Sequence, residues 1–145
     1  MRCTAILLGF LLLFSHGAVA EEPSSGKPFV GRWYGERYEG EPKRLMQWLR
    51  ENNDDGSFVV EFRIYDNCVP RFKQVQWGHW TFDGRIFRVL ITRVDDKIGD
   101  SVVLYDVSKI SDREVDYRRL ESPIVFHVGR VDAEFQIPAR GCAVS

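Results

Sequence analysis

The stretch Phe29-Val30-Gly31-Arg32-Trp33-Tyr34-Gly35-Glu36 decides the fold of this chain, and an abbreviated form of it recurs at Gly78-His79-Trp80. Its glycines allow a strand to bend or to approach another strand closely, and its aromatic rings need a large apolar volume around them. The stretch therefore predicts a strand that opens a β-domain with an aromatic core. The rest of the chain must supply the other walls of that core.

Eight short runs rich in β-branched and aromatic residues follow one another along the chain, as is typical of strands. They span residues 29–38, 44–51, 57–65, 72–82, 85–94, 101–110, 114–121 and 124–131. The clearest is the third run, in which Phe58, Val60, Phe62 and Ile64 alternate with more polar neighbours. A period of two with one apolar face indicates strands rather than helices.

Turn signals separate these runs. Asp83-Gly84 is typical of a two-residue hairpin turn, residues 52–56 predict a longer one, and residues 95–100 predict a polar loop. Tight turns with no crossover long enough for a helix favour an antiparallel meander. Because closing the sheet removes its two edges and encloses the rings, we expect a single eight-stranded antiparallel up-and-down barrel over residues 29–131, in preference to a sandwich.

The first 20 residues have the pattern of a secretory signal peptide. Arg2 supplies the charged start, residues 5–14 form an apolar run, and Ala18-Val19-Ala20 is a small-residue cleavage site. Cleavage after Ala20 would give a secreted or periplasmic protein. The apolar run is about ten residues, well short of the roughly 20 that span a bilayer, so we predict no membrane span.

The cysteines and the terminal segments complete the predicted organisation. Residues 21–28, with two prolines, two serines and a glycine, predict a flexible lead-in, and residues 132–145 predict a C-terminal tail. Cys3 would leave with the signal, so Cys68 and Cys142 would remain. In an oxidising compartment we expect them to form one disulfide that tethers the tail, although two unpaired buried thiols remain an alternative.

Charge and motifs argue against several classes of function. The formal net charge of −1 gives no broad positive field for nucleic acid. The chain contains no Gly-x-Ser-x-Gly elbow, no phosphate-binding glycine loop and no His-Glu-x-x-His. His79 and His127 lie on separate predicted strands, and the acidic residues in 95–100 lack the spacing of a calcium loop. We therefore predict no enzyme activity, no cofactor and no metal site.

A resemblance to a known family adds to this interpretation. Gly31-Arg32-Trp33, placed shortly after a signal peptide and ahead of a β-meander, resembles the lipocalins and related small secreted lipocalin-like (calycin-type) β-barrel proteins. The resemblance implies that Trp33 packs at the closed end of the barrel and that an arginine near the last strand lies across it. By position that arginine is Arg130. The chain differs from full-length lipocalins in being shorter and in lacking a recognisable C-terminal helix.

Two functions are consistent with these features. The first is binding of a small apolar or amphipathic ligand at the barrel mouth, for which the predicted lining is Tyr34, Trp48, Trp80 and Tyr105. The alternative is a protein-interaction module, such as an inhibitor or an envelope-associated partner, built on a barrel filled by its own side chains. An eight-stranded barrel is wide enough for either arrangement.

A group of basic residues lies near the end of the chain. Arg113, Arg118, Arg119 and Arg130, with Tyr117 among them, could form a patch for an anionic ligand or a partner. Neighbouring acidic residues neutralise most of that charge. A solvated strand face of mixed charge is the favoured interpretation.

Overall fold

The computed structural model, which describes residues 27–40 and 43–140, has eight antiparallel strands closed into one barrel. The strands are β1 (Gly31–Glu39), β2 (Arg44–Asn52), β3 (Ser57–Asp66), β4 (Val69–Phe82), β5 (Ile86–Val94), β6 (Lys97–Ile110), β7 (Glu114–Arg119) and β8 (Val125–Val131). The predicted signal peptide lies outside the described residues. No helix in the described ranges is long and apolar enough to cross a membrane.

Each strand pairs with the next one along the chain, and β8 returns to pair with β1. The closing contact is antiparallel and sets Trp33 opposite Arg130 and Tyr34 opposite Gly129. The predicted eight-stranded up-and-down barrel is therefore confirmed. Closure gives every strand a hydrogen-bonded neighbour on both sides, which is the advantage expected of a barrel over an open sheet.

Two strands begin earlier than the sequence pattern predicted. The expected loop over residues 95–100 is wrong, because β6 starts at Lys97 and pairs with Val94 across a two-residue turn. Asp95 makes this turn possible by adopting a positive φ of 48° while its carboxylate accepts a hydrogen bond of 2.8 Å from the Val75 amide. β4 likewise starts at Val69, directly after a left-handed turn at Asn67 and Cys68.

One end of the barrel is closed by the residues that precede β1. Lys27–Phe29 form a turn of 3-10 helix where the sequence predicted the end of a flexible lead-in, and the first strand begins at Gly31 instead of Phe29. The rest of the predicted lead-in lies outside the described residues. Phe29 is buried, stacks on Phe87 at 4.3 Å between ring centroids, and accepts hydrogen bonds at its carbonyl from Trp33 (2.9 Å) and Asn52 (3.0 Å). Gly31, with φ of 120°, turns the chain from this plug into the wall.

The core fills the half of the barrel next to this plug, which we call the closed half. Its buried apolar side chains are Phe29, Trp33, Phe58, Val60, Trp80, Phe87, Val89, Val115 and Val128. They come from six of the eight strands and from the plug, because inward-facing positions recur at every second residue. The aromatic interior expected from the sequence is thus most tightly packed next to the plug.

Residues 132–140, which we call the strap, cross the outer face of β1, β2 and β3. Carbonyl oxygens of the strap accept hydrogen bonds from Arg32, Gln47 and Arg63, and the Ile137 side chain is only 6% exposed. Arg140, the last described residue of the strap, lines the same cleft as Cys68. Cys142 lies outside the described residues, so the Cys68–Cys142 disulfide stays a prediction.

Candidate functional site

The closed end carries the tryptophan and arginine that the resemblance singled out. The Arg130 guanidinium lies over the Trp33 ring, 4.2 Å from its centroid. It also donates hydrogen bonds to the carbonyls of Pro28 (3.1 Å), Val30 (2.7 Å) and Asp112 (2.5 Å). One side chain thus joins the plug, the start of β1 and the β6–β7 turn. Arg130 therefore holds these three backbone carbonyls together at the closed end.

A cavity of about 280 Å³ occupies the other half of the barrel. Its apolar wall includes Met46, Trp48, Phe62, Ile91, Val103 and Phe126, with Phe87 of the core at its base. These residues lie towards the β1–β2, β3–β4, β5–β6 and β7–β8 turns, away from the plug. The barrel is therefore filled at one end and hollow at the other.

Five polar side chains complete the wall of this cavity: Arg50, Gln76, Tyr105, Tyr117 and Arg119. The Tyr105 and Tyr117 rings pack edge to face with centroids 5.0 Å apart. Burial raises the pKa of both phenols, so both keep their proton at neutral pH and can donate a hydrogen bond. Among the described lining residues there is no aspartate or glutamate, so the wall carries positive charge and no compensating negative charge.

Trp48 reaches the cavity because Gly35 lies beside it on β1. The two residues are paired across β1 and β2, and a Cβ atom at Gly35 would lie 2.5 Å from Cε2 of the indole and 2.8 Å from the His127 carbonyl oxygen. Any larger residue would displace the ring. The indole instead packs edge to face against Phe126 with centroids 5.7 Å apart, and so forms one side of the cavity.

Two of the four predicted lining residues, Trp48 and Tyr105, line the cavity, whereas Tyr34 and Trp80 do not. Tyr34 lies on the outer face of β1, since Trp33 and Gly35 on either side of it point inward. Its hydroxyl donates to Glu36 (2.7 Å) and accepts from Gln47 (2.8 Å), and burial beneath the strap is the main cause that raises its pKa to about 12.

Trp80 points inward, but it belongs to the closed half. Its indole N–H donates to the Ser57 carbonyl at 3.1 Å, and its ring packs near Phe29 and Phe87 in the filled core. It is buried among side chains and has no face on the cavity. The sequence prediction for Trp80 failed because alternation gives the face of a strand and not the depth along the barrel axis.

Arg50, Gln76 and Arg119 were missed as lining residues, although a signal was present. Arg50 follows Trp48 by two positions and Arg119 follows Tyr117 by two, so each pair shares one face of a strand. The basic residues grouped near the end of the sequence are dispersed over the barrel. Arg118 pairs with Asp106 on the outer face at 3.3 Å, and only Arg119 with its neighbour Tyr117 reaches the cavity.

The two histidines in the described part of the chain lie outside the cavity. His127 contacts Asp116, with Nδ1 and a carboxylate oxygen 2.5 Å apart, and lies 3.9 Å from a Glu114 oxygen on the exposed outer face. His79 is exposed at the closed end of β4. Within residues 27–40 and 43–140, no group of three or more His, Cys, Asp or Glu side chains could hold a metal ion.

Comparisons with known proteins identify no relative of this chain. No family model matches it, and searches of curated proteins and of solved structures also return no match. The strand order and the closed antiparallel sheet are compatible with a lipocalin-like fold.

Proposed function

We propose that this protein is a secreted, lipocalin-like binding protein whose barrel cavity takes a small amphipathic molecule. The observation that carries the proposal is the cavity of about 280 Å³, enclosed by aromatic and aliphatic side chains and a few polar groups. Concave sites of this composition are typical of small-molecule binding, and their usual volumes of roughly 300–1,000 Å³ indicate a small ligand here. The sequence of residues 1–20 supports the secreted location.

The hollow half of the barrel favours a ligand over the alternative of a solid interaction scaffold. A barrel of eight strands can be filled completely by its own side chains, and the closed half of this one is. The cavity begins where that packing stops, above Phe87. A protein used only as a scaffold gains nothing from this unfilled volume, because each missing contact in the interior costs stability.

We propose binding without catalysis. The polar groups on the cavity wall are arginine, glutamine and tyrosine side chains. Covalent and acid–base catalysis generally need a nucleophile next to a base, or a titrating group whose pKa lies near neutrality. The described wall groups include neither a nucleophile next to a base nor such a titrating group. They can, however, orient a polar group of a ligand.

The test is ligand binding by the chain from Glu21 to Ser145, with a variant that fills the cavity. The panel contains medium-chain fatty acids, small aromatic acids, and their alcohols and amides. Binding is followed by tryptophan fluorescence, because Trp48 forms part of the wall, and by the melting temperature, which a ligand specific for the folded state must raise. Val103→Phe places a ring in the cavity, while Val102→Phe adds the same ring on the exposed outer face of β6.

We expect at least one class of compound to bind saturably to the wild-type chain and to Val102→Phe, and to bind at least tenfold more weakly to Val103→Phe. Equal binding by the two variants would place the ligand elsewhere and overturn the proposal. A panel that produces neither a fluorescence change nor a rise in melting temperature would also overturn it.

A further inference from the structure

Arg50 is a buried arginine on the inner face of the barrel. It lies on β2 opposite Trp33 on one side and Val60 on the other, so it points into the barrel, and it is only 8% exposed. Its guanidinium lies over the Phe58 ring at 4.3 Å and 5.4 Å from the centroid of Phe87. It therefore sits on top of the filled core, at the base of the cavity.

Among the described residues, no carboxylate forms an ion pair with this buried charge. None of the ion pairs of the described chain involves Arg50, and its Nη1 atom is buried without a hydrogen-bond partner there. Burial lowers the pKa of Arg50, and the phenols of Tyr117 and Tyr105 are the groups that act in the opposite direction. A guanidinium stays protonated in proteins, so the charge persists. Aromatic faces offset part of its desolvation, but they supply no acceptor for the N–H groups.

The rest of the cavity is arranged as a binding site for an anion with an apolar body. Arg119 adds a second positive charge at the mouth, and Tyr105 and Tyr117 provide hydroxyl donors near Arg50. Above them the wall is formed by rings and aliphatic side chains such as Phe62. A low-dielectric cleft lined by charge of one sign concentrates ions of the opposite sign.

We propose that the cavity binds a small carboxylate with an apolar body, and that Arg50 receives the carboxylate group while the rings enclose the apolar part. A guanidinium matches a carboxylate with paired N–H donors, and such charge-assisted bonds are stronger than bonds between neutral groups. The cavity of about 280 Å³ limits the ligand to a short acyl chain or a single aromatic ring. This inference rests on the proposed function of the cavity and names its ligand class.

The test compares molecules that match in size and differ in charge: octanoate with octanamide, and phenylacetate with phenylacetamide. Affinity is measured at pH 7 by calorimetry on the chain from Glu21 to Ser145. In the wild-type chain each carboxylate should bind about 10- to 100-fold more tightly than its amide, the range expected for hydrogen bonds to a charged group. Arg50→Gln should reduce carboxylate affinity to that of the amide, and Arg50→Lys should keep part of the preference.

Two further variants separate binding from folding. Arg88→Gln removes an exposed arginine from the outer face of β5 and should leave the preference unchanged. Arg50→Met should keep or raise the melting temperature of the ligand-free protein, because a buried unpaired charge is replaced by an apolar side chain. A fall in melting temperature in Arg50→Met, with unchanged ligand preference in Arg50→Gln, would assign Arg50 a structural role and overturn the inference.

The outcomes also distinguish the inference from the proposed function. If amides bind as tightly as carboxylates, and Val103→Phe blocks both, the cavity is a binding site but the carboxylate inference is wrong. If Val103→Phe blocks no compound, both fail. A carboxylate preference that persists in Arg50→Gln would place the anion at another residue, which would overturn the role of Arg50.

Discussion

Gly35 and Gly129 lie on neighbouring strands at the seam where β1 meets β8, yet they have opposite surroundings. A Cβ atom at Gly35 would overlap the Trp48 indole and approach the His127 carbonyl oxygen, whereas a Cβ atom at Gly129 would meet no heavy atom within 4 Å. Neither glycine has a positive φ. Space around the Cβ position alone therefore decides whether each glycine can be replaced.

Replacing these two glycines by alanine should move stability in opposite directions. Gly35→Ala overpacks the core beside Trp48 and should lower the free energy of unfolding by about 1–3 kcal/mol. Gly129→Ala restricts the unfolded chain without a clash and should raise it by about 0.4–1 kcal/mol. Urea unfolding followed by fluorescence measures both. Equal effects of the two substitutions would contradict the role assigned to Gly35.

The face of the strand on which each residue lies could be predicted from the sequence. Once Trp33 is placed inward, a period of two places Tyr34 outward, and it places Arg50 on the same face as Trp48. A lining predicted from aromatic character alone includes Tyr34 and omits Arg50. Depth along the barrel, which separates Trp80 from Trp48, depends on strand register and so needs the folded structure.

The strap covers part of the outer face of the barrel. Ile137 in the strap is buried, as are Leu45 of β2 and Tyr65 of β3, two side chains that do not belong to the barrel core. Gln47, which is fully buried two residues after Leu45 on β2, donates a hydrogen bond to the Pro138 carbonyl at 3.3 Å. The outer face of these strands thus forms a second, smaller apolar layer.

Ile137→Ala tests the contribution of the strap, with Ile98→Ala as the matched control. Ile137 is 6% exposed and Ile98 is 94% exposed, so the same atoms are removed from opposite environments. We expect Ile137→Ala to lower the free energy of unfolding by about 2 kcal/mol or more. Ile98→Ala should change it by less than about 0.5 kcal/mol. Urea midpoints at an unchanged m-value give both numbers, and similar midpoints would mean that the strap adds little.

The strands and the strap differ in how far the sequence predicts them. Alternation and turn residues predict the strands. Their predicted bounds lie within a few residues of the observed ones, apart from the earlier start of β6 at Lys97. The strap has no periodic pattern, because it is held by its carbonyl groups, which every residue carries, and by one buried isoleucine. Its course across β1 to β3 could not be predicted from residues 132–140.

The division of the barrel into a filled and a hollow half explains why the sequence left the cavity undecided. Interior volume is a small difference between the space enclosed by eight strands and the summed volume of the inward side chains. Gly35 and Gly78, which both contribute no side chain, let Trp48 and a neighbouring strand move closer instead of leaving a void. Composition gives the number of rings, but only their placement shows that the rings of Phe29, Trp80 and Phe87 gather at one end.

The predicted Cys68–Cys142 disulfide would join the strap to the barrel and so bind the chain into one closed unit. Arg140 and Cys68 line the same cleft, and Arg140 is fixed by its pair with Glu36 at 2.9 Å, so the strap ends two residues before Cys142 on the side of the barrel where Cys68 lies. We expect the chain from Glu21 to Ser145, produced in an oxidising compartment, to have a mass two units below that of its reduced form. A link that closes about 75 residues should stabilise the fold by about 4–5 kcal/mol in the chain-entropy model. Reductant should therefore lower the melting temperature of the wild-type chain, but should leave that of Cys68→Ser unchanged. Labelling of both cysteines in the native, unreduced protein would show that the strap is held by its non-covalent contacts alone.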